Sequence, residues 1–126
     1  MKLRMSARGV ELSAELNEYI RRRVHFSLGR FAGRIQSVSI SLADVNGPRG
    51  GLDKICDVRV NAGLRNPLMV RERQGNVHAA VAFAVERAER ALRRQLQIAS
   101  RTDRAKRGRT AARTFKIGDS ARIPVV

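Results

Sequence analysis

The chain has 126 residues and a formal charge of +15, from 26 Lys and Arg against 11 Asp and Glu. That length supports one domain with a modest core and a tail, and the charge favours a polyanionic partner, nucleic acid before an anionic membrane surface. One cysteine excludes an internal disulfide, two distant histidines make no metal site, and no apolar run suits a signal peptide or membrane span, so a soluble cytoplasmic protein is expected.

Lys2 to Arg8 alternates, with Leu3, Met5 and Ala7 on one side and Lys2, Arg4, Ser6 and Arg8 on the other, which predicts a half-buried strand ended by Gly9. Ser13 can cap a helix, with Glu15 and Glu18 in its early turns. Leu16, Ile20, Val24, Leu28 and Phe31 form the core face of that helix, and Gly29 and Gly33 mark its fraying end. Its flank interleaves Tyr19, Arg22, Phe26 and Arg30.

Ile35 to Leu42 alternates again, with Val38, Ile40 and Leu42 inward and Ser37, Ser39 and Ser41 outward. The Gly- and Pro-rich loop DVNGPRGGLDK is too long for a two-residue turn. Ile55 to Ala62 is a third strand, with Cys56, Val58, Val60 and Ala62 on one face. Gly63 to Asn66 connects it to a fourth, Pro67 to Arg73, where Pro67 suits only a strand start or an edge.

Asn76 then caps a helix running to Ser100. Val77, Val81, Ala84, Val85, Ala88, Leu92 and Leu96 form its apolar stripe, and Phe83, Arg87, Arg90 and Arg94 line the far side. From Arg101 the periodicity stops. The tail to Val126 holds 8 Lys and Arg against 2 acids and reads as a disordered basic arm. The predicted fold is α+β, β-α-β-β-β-α: a four-stranded, mainly antiparallel sheet with two helices on one face, the first two strands parallel across a right-handed crossover. The domain spans 1–100, the tail 101–126, and the other sheet face is polar and basic through Arg4, Arg8, Arg59 and Arg71.

Guanidinium forks match phosphates and stack on bases, so Arg87, Arg90 and Arg94, headed by Phe83, are the leading RNA-binding candidates; the plainer reading is a solvated charged face. Arg93 is better placed to pair with Glu89, four residues earlier. Arg22 projects furthest from the first helix's stripe, whereas Arg23 is suited to snorkel along the core edge. Phe26 and Phe83 project outward and either could stack on a base, with burial against a loop as the alternative. Arg49 and Lys54 flank glycines, Gly47, Gly50 and Gly51, that would let the backbone approach a phosphate. An ordinary long hairpin loop is the favoured reading of them, and no Gly-Lys-Ser/Thr of a Walker loop follows. His25 and His78 read as surface or edge residues and Cys56 as a small core residue. No Ser-His-Asp or Cys-His arrangement stands out, so neither an enzyme nor a cofactor is expected.

This ordered set resembles the ribosome hibernation-promoting factor and ribosome-associated inhibitor A family, in its short form, over roughly residues 1 to 101. The resemblance is carried by GVELSAELNEYIRRRV, FAGRIQSVSISL, the strand containing CDVRV, and the helix NVHAAVAFAVERAERALRRQL. The loop DVNGPRGGLDK is similar to that of a compact branch. His78 stands where the family often has tyrosine, and Asn76 or Val77 where it has an acid. The second, dimer-forming domain of long members is not represented, so pairing of ribosomes by this chain alone is not implied.

The resemblance implies a translation inhibitor that occupies the messenger and transfer RNA groove of the small ribosomal subunit, against 16S-type rRNA, and keeps ribosomes inactive. It implies no small-molecule substrate and no membrane, and a monomer off the ribosome. Arg22, Arg30, Arg49, Lys54, Phe83, Arg87, Arg90 and Arg94 would be its RNA-binding residues. The rival readings are a general RNA-binding module and a dimeric protein-interaction domain built on the Phe-bearing flanks.

Overall fold

A computed structural model describes residues 1–45 and 53–113, with side chains through residue 101. The elements are β1 (Lys2–Arg8), α1 (Ala14–Leu28), a 3-10 turn (Gly29–Phe31), β2 (Ser37–Asp44), β3 (Lys54–Asn61), β4 (Leu68–Gln74) and α2 (Val77–Arg113). The four strands form one sheet in chain order, with β1 parallel to β2 and the other pairs antiparallel. This is the predicted α+β order. β2, β3 and β4 lie a residue or two from their expected bounds, and Ile35, buried, belongs to the turn ahead of β2 rather than to the strand.

Alternation decides which face of the sheet is covered. Val38, Ile40 and Leu42 of β2 and Cys56, Val58 and Val60 of β3 are buried on the helix side, because side chains two apart on a strand share a face. The helices answer with stripes at three- and four-residue spacing: Leu16, Ile20, Val24 and Leu28 on α1, and Val81, Val85, Leu92 and Leu96 on α2. Each fully buried aliphatic side chain contributes about 1.5–3 kcal/mol relative to exposure. Ala80, Ala84 and Ala88 are also fully buried, and at these positions no long side chain holds α2 away from β3 and β4, on which it packs.

Caps set where both helices begin. The Ser13 hydroxyl accepts from the Leu16 amide at 3.1 Å, and the Asn76 side-chain oxygen accepts from the Ala79 amide at 3.1 Å, each satisfying an amide that the helix cannot pair internally. Gly9 turns the chain out of β1 with φ of +76°, and a Cβ there would lie 3.2 Å from the Asp44 carbonyl oxygen.

The last helix differs from expectation. α2 continues to Arg113, so the boundary at residue 100 falls inside it, and the first half of the basic tail is helical rather than an unstructured arm. The sequence carries no apolar stripe beyond Ser100, and helix propagation does not require one. A helix already nucleated propagates without a second nucleation cost, and the Ala, Arg and Lys of 101–113 are good helix formers. The rest of the tail lies outside the described residues. Among the described residues no helix is long and apolar enough to cross a membrane.

Leu92→Ala should lower stability by about 2–5 kcal/mol, while Ile98→Ala on the same helix should stay within about 0.5 kcal/mol. Leu92 is fully buried and Ile98 is 43% exposed. Urea midpoints of the two variants measure the difference.

Candidate nucleic-acid interface

The row on α2 follows from the burial of its opposite side. With Val81, Ala84, Val85, Ala88 and Leu92 against the sheet, Phe83, Arg87, Arg90 and Arg94 are exposed. At 1.5 Å per residue the row extends about 16 Å. Its members are engaged to different degrees. Arg87 donates to the Glu72 carboxylate at 2.8 Å and to the Arg71 carbonyl oxygen at 2.9 Å, which ties α2 to β4. Arg90 stands 3.6 Å from Glu86, one turn earlier. Arg94 has no partner among the described residues. An exposed pair such as Arg90–Glu86 is worth about 0–1 kcal/mol, so it opens readily when a phosphate competes. Phe83 is 47% exposed beside these arginines, in the outward position the sequence predicts.

The remaining candidates do not all join this row. Arg30, in the 3-10 turn, donates to Glu89 of α2, and its guanidinium lies 5.0 Å from the Phe31 ring centroid. Glu89 also accepts from Arg93 at 3.2 Å, the predicted four-residue pair. Glu89 thus joins the end of α1 to α2, together with Tyr19, whose hydroxyl donates to the His78 carbonyl oxygen at 3.3 Å. Arg87 reaches β4, whereas Glu89 and His78 reach α1 and its following turn. The Phe83–Arg94 row therefore lies on the β4 side of α2, and Arg30 on the α1 side. Arg22 is exposed on α1 with no partner among the described residues. Phe26, on the same helix, is 82% exposed with the Arg23 guanidinium 6.0 Å from its ring centroid.

Lys54 has a different setting. It donates to Asp53 at 3.0 Å and stands 3.4 Å from Asp44. The hydrogen bond to Asp53, reinforced by Asp44, holds its ammonium above the ordinary lysine range. Lys54 is thus already the counter-ion of two carboxylates where β2 and β3 meet the loop. Asp53 is fully buried, so removing Lys54 would strand a carboxylate in the interior. Arg49, with Gly47, Gly50 and Gly51, lies outside the described residues.

Sequence reasoning paired Glu89 with Arg93 but missed its contact with Arg30, and it missed Glu72 as the partner of Arg87. Glu72 meets Arg87 only once β4 is placed beside α2, and no local spacing announces that contact. Among the described residues no group of three or more His, Cys, Asp or Glu is arranged to hold a metal ion. Cys56 is fully buried; burial foremost, then Asp57 and Glu72, push its thiol up to about 12.

These features define a small α+β domain that carries a row of exposed arginines on its last helix. A sequence model of the Sigma 54 modulation protein / S30EA ribosomal protein family matches residues 3–98, and the chain belongs to that family. Two solved structures share the fold. A ribosomal subunit interface protein from Coxiella burnetii superposes with a TM-score of 0.64 at 19% identity, covering 75% of this chain and 96% of the other. The N-terminal domain of Protein Y from Thermus thermophilus gives 0.58 at 17% identity, covering 75% of this chain and 98% of its own. No curated protein sequence matches the chain.

The raised thiol makes the neutral Cys56 a property of the folded state. Because the folded chain keeps that proton after the unfolded chain has lost it, the Cys56 contribution to stability should be level up to about pH 9 and fall as the pH climbs towards 12. Urea titrations of the wild type and Cys56→Ala should diverge in that window and run parallel below it, the alanine variant lacking this part of the decline.

Proposed function

We propose that the chain binds the small ribosomal subunit in the groove that messenger and transfer RNA otherwise occupy, and holds ribosomes inactive in the cytoplasm. Membership of the Sigma 54 modulation protein / S30EA ribosomal protein family supports this, as does the likeness to a ribosomal subunit interface protein. The observation that carries it is the outward row of Phe83, Arg90 and Arg94 on a helix that is buried on its other side. Arginine forks engage phosphates, and an adjacent ring offers a stacking platform. Arg87 supports the row from the β4 side, and Arg22 extends cation coverage onto α1.

Occupying such a groove needs shape and charge only. Affinity comes mainly from counterion release, so it falls steeply with salt and carries little base specificity. Inhibition is steric: RNA already bound excludes the protein, and bound protein excludes RNA. The basic segment after Ser100 adds sequence-independent attraction, and its deletion lowers affinity without changing site preference.

Co-sedimentation with purified small subunits over a salt series, with messenger and initiator transfer RNA as competitors, tests the proposal. Saturable binding that both competitors displace is expected. Equal binding to naked RNA, indifferent to the competitors, would reduce the chain to a general RNA binder. Arg90→Glu with Arg94→Glu should weaken subunit binding by about ten-fold or more and leave the melting temperature near its starting value, since both side chains are solvated. Arg87 is a poorer choice for charge reversal, because it also ties α2 to β4 through Glu72 and the Arg71 carbonyl oxygen.

A further inference from the structure

The sheet has a second face, turned away from both helices, and its register collects the cations of three strands. Arg4 of β1, Ser39 of β2, Arg59 of β3 and Met69 of β4 lie side by side in one cross-strand row. The next row holds Ser6, Ser41, Asp57 and Arg71, and the one beyond it Arg8, Ala43, Ile55 and Arg73. With Lys2 this face carries six cations and one carboxylate, Asp57, which Arg71 grips with two donors at 2.7 and 3.1 Å. Lys2, Arg4, Arg8 and Arg59 are exposed and have no acidic partner among the described residues. On α2, by contrast, Arg87, Arg90 and Arg93 each have a glutamate within 4 Å.

Ile55 in the third row is buried, so the exposed part of the face is the part that carries Lys2, Arg4, Arg8 and Arg59. We infer that this part is a second RNA-binding surface, separate from the α2 row, which holds the phosphate backbone of another RNA segment through Arg4, Arg59, Lys2 and Arg8. Adjacent strands are about 4.8 Å apart, so the Arg4 and Arg59 backbones are separated by roughly 10 Å with Ser39 between them. Ser6 and Ser41, whose hydroxyls are 3.2 Å apart, add neutral donors beside the charges. The described aromatic residues, Tyr19, Phe26, Phe31 and Phe83, all lie on the helices or the 3-10 turn. The sheet face therefore offers no stacking platform, and its recognition is of phosphate and ribose without regard to base. A long polyanion fits these separated charges better than a compact anion, which would reach only one or two of them. The domain becomes a two-sided wedge between RNA segments, going beyond the groove binding proposed above and independent of it.

The test uses the full chain and end-labelled decamers of uridine or adenosine, read by fluorescence anisotropy at low salt. In Arg90→Glu/Arg94→Glu, with the helix row reversed, both decamers should bind with similar affinity. Adding Arg4→Gln and Arg59→Gln should lower that affinity about ten-fold and make the slope of log affinity against log salt shallower by about 1.4, at roughly 0.7 for each lost single-strand contact. Arg4→Lys with Arg59→Lys in the same background should keep most of the affinity, which separates loss of charge from damage to the sheet. Absence of decamer binding in the helix-reversed protein, or affinity unchanged by the two glutamines, would overturn the inference. Unchanged RNA binding together with loss of poly-glutamate binding would assign the face to an acidic protein instead. None of these readings involves the ribosome, so the outcome is independent of the groove proposal.

Discussion

Everything on the surface of this domain depends on how closely α2 lies on β3 and β4. Ala80, Ala84 and Ala88, all fully buried, leave that helix no freedom to roll, since any rotation would bring a larger side chain against the sheet and open voids elsewhere. Once the stripe is fixed, the outward direction of Phe83, Arg90 and Arg94 is fixed with it. The candidate surface is thus the complement of a packing solution, and its rigidity comes from the residues buried beneath it.

Charge is organised at two levels. A few acids, Glu72, Glu89, Asp44 and Asp57, are spent on joining elements: α2 to β4, α2 to the end of α1, and the paired strands to one another. Because these pairs are mostly solvated, each adds little to stability, but together they absorb the arginines nearest the element junctions. What remains uncompensated is spread over the outer side of the helices and the far side of the sheet. The formal charge of +15 therefore acts on partners more than on the fold.

The fold was largely legible because its period-2 and helical patterns are clean: β1 has the expected bounds, and both caps, Ser13 and Asn76, work as read. The parallel β1–β2 pair followed from the helix between those strands. The site was legible only in part. Helical spacing was enough to turn the α2 row outward and to pair Arg93 with Glu89. It could not show that Arg87 reaches Glu72 or that Arg30 is held by Glu89, because both contacts join residues distant in sequence. Lys54 looked like a free loop cation until Asp44 and Asp53 were placed beside it. The length of α2 was misjudged because amphipathicity reports packing, whereas a nucleated helix can propagate without an apolar stripe.

The two edge strands have one more consequence. Among the described strands β1 and β4 each have a neighbour on one side only, and an edge strand is the kind of template on which separate molecules zip together into aggregates. Here Lys2, Arg4 and Arg8 flank one margin and Arg71 and Arg73 the other. Two copies approaching margin to margin meet like charges before any strand can be added. The cations proposed above to hold a polyanion thus also stand where strand-to-strand addition of a second copy would begin.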